Sequence, residues 1–170
     1  MTISMYQLTV PVFAHTLTNL LSILNKAVAF ADAKKLDPSV LPNARLAPDM
    51  YPLKKQVQVA SDTIKGAVAR LAGIEAPSWP DTEETMAELI ARVQKTLDYV
   101  NGFKPEQIND SEDNTVELNF PGGYNFTFTG LSFVQMMVMP NLYFHFTTTY
   151  GILRHNGVEV GKGDLLGKIQ

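Results

Sequence analysis

The segment from Asn141 to Gly157 reads NLYFHFTTTYGILRHNG and sets a histidine among aromatic residues. Imidazole titrates near neutral pH and is the commonest metal ligand, so His145 is the first candidate for chemistry. Positions 141, 145, 148 and 152 follow at steps of three or four, which places Asn141, His145, Thr148 and Ile152 on one face of a helix. On another apolar-striped segment Gln56 shares a face with Leu53, Ala60 and Ala67. Gln58 falls about 200° away from it, with Lys54, Asp62 and Lys65 on the solvent side. Gln56, Asn141 and His145 form the candidate pocket, with Asp49 and Thr148 as accessory residues.

Two chemistries compete for that pocket. In one, His145 is a metal ligand beside the two amides; zinc and its neighbours prefer imidazole, thiolate or carboxylate, so this donor set is poor. In the other, the three polar groups hydrogen-bond one another between helices, because a buried polar group without a partner costs roughly 1 to 3 kcal/mol. The expectation is no cofactor, with a divalent ion such as zinc or nickel on His145 as the alternative. No catalytic residue is assigned: G-x-S-x-G, G-x-G-x-x-G, G-x-x-x-x-G-K-S/T and H-E-x-x-H are all absent. With no cysteine, disulfides, thiolate zinc sites and a cysteine nucleophile are excluded.

The remaining candidates have plainer explanations. His15 lies opposite the Phe13, Leu17, Leu20 stripe, at the surface or at a subunit contact, and His155 sits in a last helical turn where a cation suits the helix C-terminus. Asp49 stands where an N-cap would, and could also point a carboxylate into the bundle end. Tyr51, Trp79, Tyr143, Phe144, Phe146 and Tyr150 could line a small apolar pocket, although aromatics at helical spacing are more often core.

Four amphipathic segments must position these residues. The first runs from about Ser4 to Lys35 on Val10, Phe13, Leu17, Leu20, Leu24, Ala27, Val28 and Ala31, with Pro11 in its first turn or kinking it. The stretch LDPSVLPNARLAPDMYPL carries four prolines and is a connection, and the second segment then spans about Met50 to Leu71, with Gly73 ending it. Asp81 and Glu84 have the spacing of a capping pair for the third, which ends near Gly102. TVELNF and YNFTFT alternate around Pro121, Gly122 and Gly123 as a hairpin. The fourth, from Leu131 to about Arg154, is apolar on nearly every side and ends at Asn156 and Gly157. Pro140 within it deprives the Met136 carbonyl of its partner and bends the axis. The expected fold is all-α: a single four-helix-bundle domain over residues 1–170, with one small β-hairpin before the last long helix.

Composition limits the partners. Of 170 residues 45% are hydrophobic and 18% charged, an ordinary globular balance. A net charge of −3 with no basic stripe argues against nucleic acid. The first residues lack the basic flank and cleavage site of a secretory signal, and polar residues interrupt them too often for a span, so the expectation is a cytoplasmic protein without a membrane partner. A fourth helix apolar all round needs cover on more than one face, which predicts a homodimer.

These stretches together resemble the DinB/YfiT-like metalloenzyme superfamily, and within it a domain-of-unknown-function branch. The resemblance covers nearly the whole chain. It rests on MYQLTVPVF (Met5 to Phe13), the stretch from Arg45 to Gly73, DTEETMAELIARVQKTLDYV (Asp81 to Val100), FTG (Phe128 to Gly130) and NLYFHFTTTYGILRHNG. It implies a four-helix bundle, often homodimeric, whose better-known members hold a divalent metal with one histidine on the second helix and two on the fourth. Leu153, Arg154 and Gly157 match the L-R-x-x-G ending of that fourth helix, and His145 takes the place of its second histidine. Asn141 stands for the first and Gln56 for the one on the second helix. The implied outcome is a bundle that has lost the three-histidine site and holds a polar network or small-ligand pocket. The alternative is a metal-dependent hydrolase or transferase using His145, and a third is a purely structural or regulatory partner protein.

Overall fold

The computed structural model describes residues 3–120 and 122–168. Helix α1, Met5–Lys34, begins with a capping box: Ser4 Oγ accepts from Gln7 N, and Gln7 Oε1 accepts from Ser4 N. Phe13, Leu17, Leu20, Leu24 and Ala27 are buried along it as the spacing predicts. Pro11 sits in its second turn, so the Gln7 carbonyl lacks its i+4 donor. By length and hydropathy α1 would also suit a membrane span, yet half of its most apolar stretch is buried inside the fold.

The proline-rich connection holds one short turn, α2, Val40–Asn43. Helix α3, Leu53–Leu71, starts three residues later than the sequence suggests, because Pro52 occupies the N-cap position in extended conformation. Asp49 does not cap it and is exposed instead, so both roles expected of that carboxylate lapse. The helix closes as expected at Gly73, φ +66°, where Gly73 N donates to Arg70 O and Ile74 N to Ala69 O.

Helix α4, Met86–Asn101, is capped by Thr85 and Glu88 rather than by Asp81 and Glu84. Both pairs have the right spacing, but the Asp81 and Glu84 carboxylates are taken by basic side chains from other elements. After α5, Pro105–Ile108, the hairpin forms from β1, Thr115–Phe120, and β2, Tyr124–Thr129, with Leu118 opposite Phe126 and Phe120 opposite Tyr124. Gly122 and Gly123 take left-handed φ at its turn; Pro121 lies outside the described residues. The base of its apolar face, Val116 and Leu118, is buried, whereas Phe120, Tyr124 and Phe126 overhang exposed.

The last long helix has three parts. Helix α6, Gly130–Phe133, leads into a π-helical turn, Val134–Val138, and then α7, Met139–His155. Pro140 explains the turn: its ring would clash with the carbonyl four residues back, and widening to a five-residue repeat relieves that. The interruption expected at Pro140 therefore takes the form of an inserted residue. Gly130 begins this run because a Cβ there would meet the Ser111 carbonyl oxygen at 1.9 Å. Helix α8, Lys162–Leu166, which the sequence pattern did not suggest, lies on α1. Among the long helices, α1 packs on α4, α4 on α3, and α3 on α7, round one core.

Candidate functional site

Helices α3 and α7 face each other through two polar pairs. Nδ1 of His145 lies 2.7 Å from Gln56 Oε1, and Gln56 Nε2 donates to the Tyr51 carbonyl at 3.0 Å. A carbonyl oxygen only accepts, so the amide orientation is forced and its oxygen faces the imidazole. His145 then carries its proton on Nδ1, and among the described residues its Nε2 lone pair has no hydrogen-bond donor. Both side chains are buried, and burial lowers the His145 pKa below its ordinary value, which keeps the ring neutral at pH 7. The Phe144 ring stands edge-on to the imidazole, 5.1 Å away.

Asn141 belongs to a different pair. Its Nδ2 donates to Thr63 Oγ1 at 2.7 Å, and Thr63 donates onward to the Val59 carbonyl. The structure thus brings Gln56 and His145 together and sets Asn141 apart. Thr63 lies seven residues, about 10 Å, beyond Gln56 along α3. Thr148 shares the face but bonds the Phe144 carbonyl of its own helix.

Asn141 instead lines a cavity of about 250 Å³ between α3, the hairpin and the π-helical turn. Its apolar walls include Val59, Leu118, Phe133, Met137 and Val138, and Asp62, Thr63, Asn141 and Arg70 supply its polar groups. Among the described residues Asn141 Oδ1 accepts no hydrogen bond. Arg70 folds back along α3 so that Nη1 donates to the Gly66 carbonyl at 3.0 Å. A Cβ on Gly66 would lie 2.5 Å from that Nη1. A helix-interior glycine costs about 1 kcal/mol relative to alanine, and here the missing methyl makes room for the guanidinium.

A charge cluster on the other side of α3 was not legible from the sequence. Arg92, buried on α4, sits 2.9 Å from Glu83 and Asp81 and 3.0 Å from Asp62. Burial works against its charge, but the Glu83 hydrogen bonds and the neighbouring carboxylates outweigh that and hold its pKa above the ordinary value. Lys65 pairs with Asp62 at 2.7 Å, and Gln58 donates to Glu83 at 2.9 Å. Gln58 and Lys65, expected on the solvent side, are buried because the segment between α3 and α4 covers that face. Trp79 is held there under the ammonium groups of Lys65 and Lys95, with Tyr99 edge-on to it.

The six candidate aromatics do not meet in one pocket. Trp79 sits in the charge cluster, Phe146 is core, and Tyr51, Tyr143 and Phe144 are exposed. His15 is exposed as expected, and its Nε2 donates to the Leu166 carbonyl at 2.7 Å, fastening α8 to α1. His155 is exposed in the last turn of α7.

The three positions that the resemblance gives to metal ligands do not fit an ion. The Gln56 oxygen accepts from the His145 N–H and Asn141 turns its Nδ2 to Thr63, so what remains is His145 Nε2 beside an amide oxygen, a weak ligand for zinc and its neighbours. Among the described residues no group of three or more His, Cys, Asp or Glu side chains could hold a metal.

Fold and site together define an all-α DinB-like protein with cross-helix hydrogen bonds where a ligand set would stand. A family model described as Domain of unknown function (DUF1993) matches residues 5–166, and the chain belongs to that family. The chain is similar to the crystal structure of a DinB family member protein from Shewanella denitrificans. The two share 48% identity and a TM-score of 0.87 over 96% of this chain and 92% of that one. No curated protein matches it.

Proposed function

We propose that this protein is a metal-independent DinB-like bundle that binds a small, mainly apolar molecule in the cavity beside Asn141. In this reading Gln56 and His145 lock α3 to α7. The forced orientation of the Gln56 amide carries the proposal, because its oxygen serves a cross-helix hydrogen bond from His145, and amide oxygens are in any case weak ligands for zinc and its neighbours. An apolar cavity with a few polar groups on one side is the usual form of a small-molecule site. Elemental analysis of protein purified without chelator or affinity tag, beside His145→Ala, tests it. Neither protein should hold stoichiometric zinc, nickel or iron. A metal that disappears in the variant would restore the hydrolase or transferase alternative.

The protein acts as a cytoplasmic homodimer in the same proposal. From Leu118 to Leu153 the sequence has no Asp, Glu, Lys or Arg, and Met136, Tyr143 and Phe144 stand exposed along the last long helix. Such a surface favours association with a second copy of itself. Light scattering coupled to size-exclusion chromatography should give twice the chain mass of 18.8 kDa. A monomer at every loading concentration would remove this part.

A further inference from the structure

Resting on the small-ligand reading above, we infer that the cavity takes a small monocarboxylic acid with an apolar body, whose carboxylate is recognised by Arg70. Arg70 forms no ion pair among the described residues, whereas Asp62 on the same cavity is engaged by Lys65 at 2.7 Å and Arg92 at 3.0 Å. The uncompensated charge at the cavity is therefore positive. The guanidinium spends one N–H on the Gly66 carbonyl and keeps the others, in the planar array that suits a carboxylate. Gly66 holds this arrangement open, since any larger residue puts a carbon where Nη1 lies. One cation against apolar walls suits a monoanion better than a phosphate dianion. Asn141 Oδ1, with its Nδ2 committed to Thr63, adds an acceptor that a hydroxyl or amino group on the ligand would satisfy. A cavity of about 150 Å³ accepts a benzene ring, so about 250 Å³ suits a ring or branched chain bearing a short acid.

Titration calorimetry with 3-phenyllactate, 3-phenyllactamide and 3-phenylpropionate tests the inference, with methyl NMR of Met137 to locate binding. Phenyllactate should bind and shift the Met137 signal. The amide should bind at least tenfold more weakly, and phenylpropionate, lacking the hydroxyl, several-fold more weakly. Arg70→Gln should weaken phenyllactate at least tenfold. Gly66→Ala should weaken it similarly while keeping or raising Tm, because the new methyl displaces only the end of a flexible side chain and favours the helix. Acid and amide binding alike at Met137, or undiminished acid binding in Arg70→Gln, would overturn the carboxylate inference and leave the cavity reading standing. No Met137 response to any of the three would overturn both.

Discussion

Replacing Arg92 by methionine keeps much of the buried volume and removes the one charge that three carboxylates share. The Arg92 side chain is 2% exposed and Glu83 14%, so that pair lies in a poorly solvated place, whereas Asp81 at 33% and Asp62 at 39% are partly screened by water. Unit charges about 4 Å apart interact by about 4 kcal/mol at an effective dielectric of about 20, and the exposed partners count for much less. Removing one member of a buried pair costs about 3 to 5 kcal/mol, and the solvent reaching Asp62 and Asp81 puts this case at the lower end, about 3 kcal/mol. With a urea slope of about 2 kcal/mol per molar, the midpoint should fall by about 1.5 M. Trp79, the only tryptophan, lies between Lys65 and Lys95 and reports the same region by fluorescence. Glu83→Gln added to Arg92→Met should recover part of the deficit, because it removes one of the stranded carboxylates. A loss below about 0.5 kcal/mol, or no recovery in the double variant, would mean that the cluster is surface decoration.

Three further outcomes follow from named contacts. His145 is buried with a lowered pKa, so as pH falls below its ordinary value of about 6.5 the unfolded chain takes up the proton first. Stability should then decline by up to about 1.4 kcal/mol per pH unit, and His145→Gln should lack that component; parallel urea midpoints from pH 8 to 5 would contradict it. Thr85→Ala removes the hydroxyl that caps α4 and should cost about 1 kcal/mol by urea titration, an effect that would be missing if Asp81 were the true cap. Gly130→Ala drives a methyl into the Ser111 carbonyl and should cost about 3 kcal/mol or prevent folding, and an unchanged Tm would contradict the close approach.

Helix positions were legible where one periodicity decided them. The Phe13, Leu17, Leu20, Leu24 stripe and the Asn156, Gly157 stop each had a single interpretation, and both stand in the structure. At the start of α4 the pair read from the sequence, Asp81 and Glu84, gives way to Thr85 and Glu88 at the same spacing, and the carboxylates of the first pair are engaged by long-range partners instead. Gln58 and Lys65 looked solvent-facing because nothing local reveals that a loop returns over them. At the candidate site, the face was readable and the height was not. Periodicity put Asn141 and His145 on one side of α7, but which partner each meets depends on how far α3 has slid past it, and that set Gln56 against one and Thr63 against the other.

The π-helical turn at Val134–Val138 gives the last long helix one residue more than a regular helix of the same span would need. Face counting that begins at the hairpin and runs through this turn is out of phase by about 100° when it reaches Asn141. The turn acts as a phase shifter between two rigid parts. A chain that lost one residue here and carried another residue in place of Pro140 could form an unbroken helix, yet its hairpin would swing round the axis and no longer wall the cavity with Leu118. Length change in this stretch is thus a way for related sequences to reshape or abolish the cavity without altering any residue that lines it.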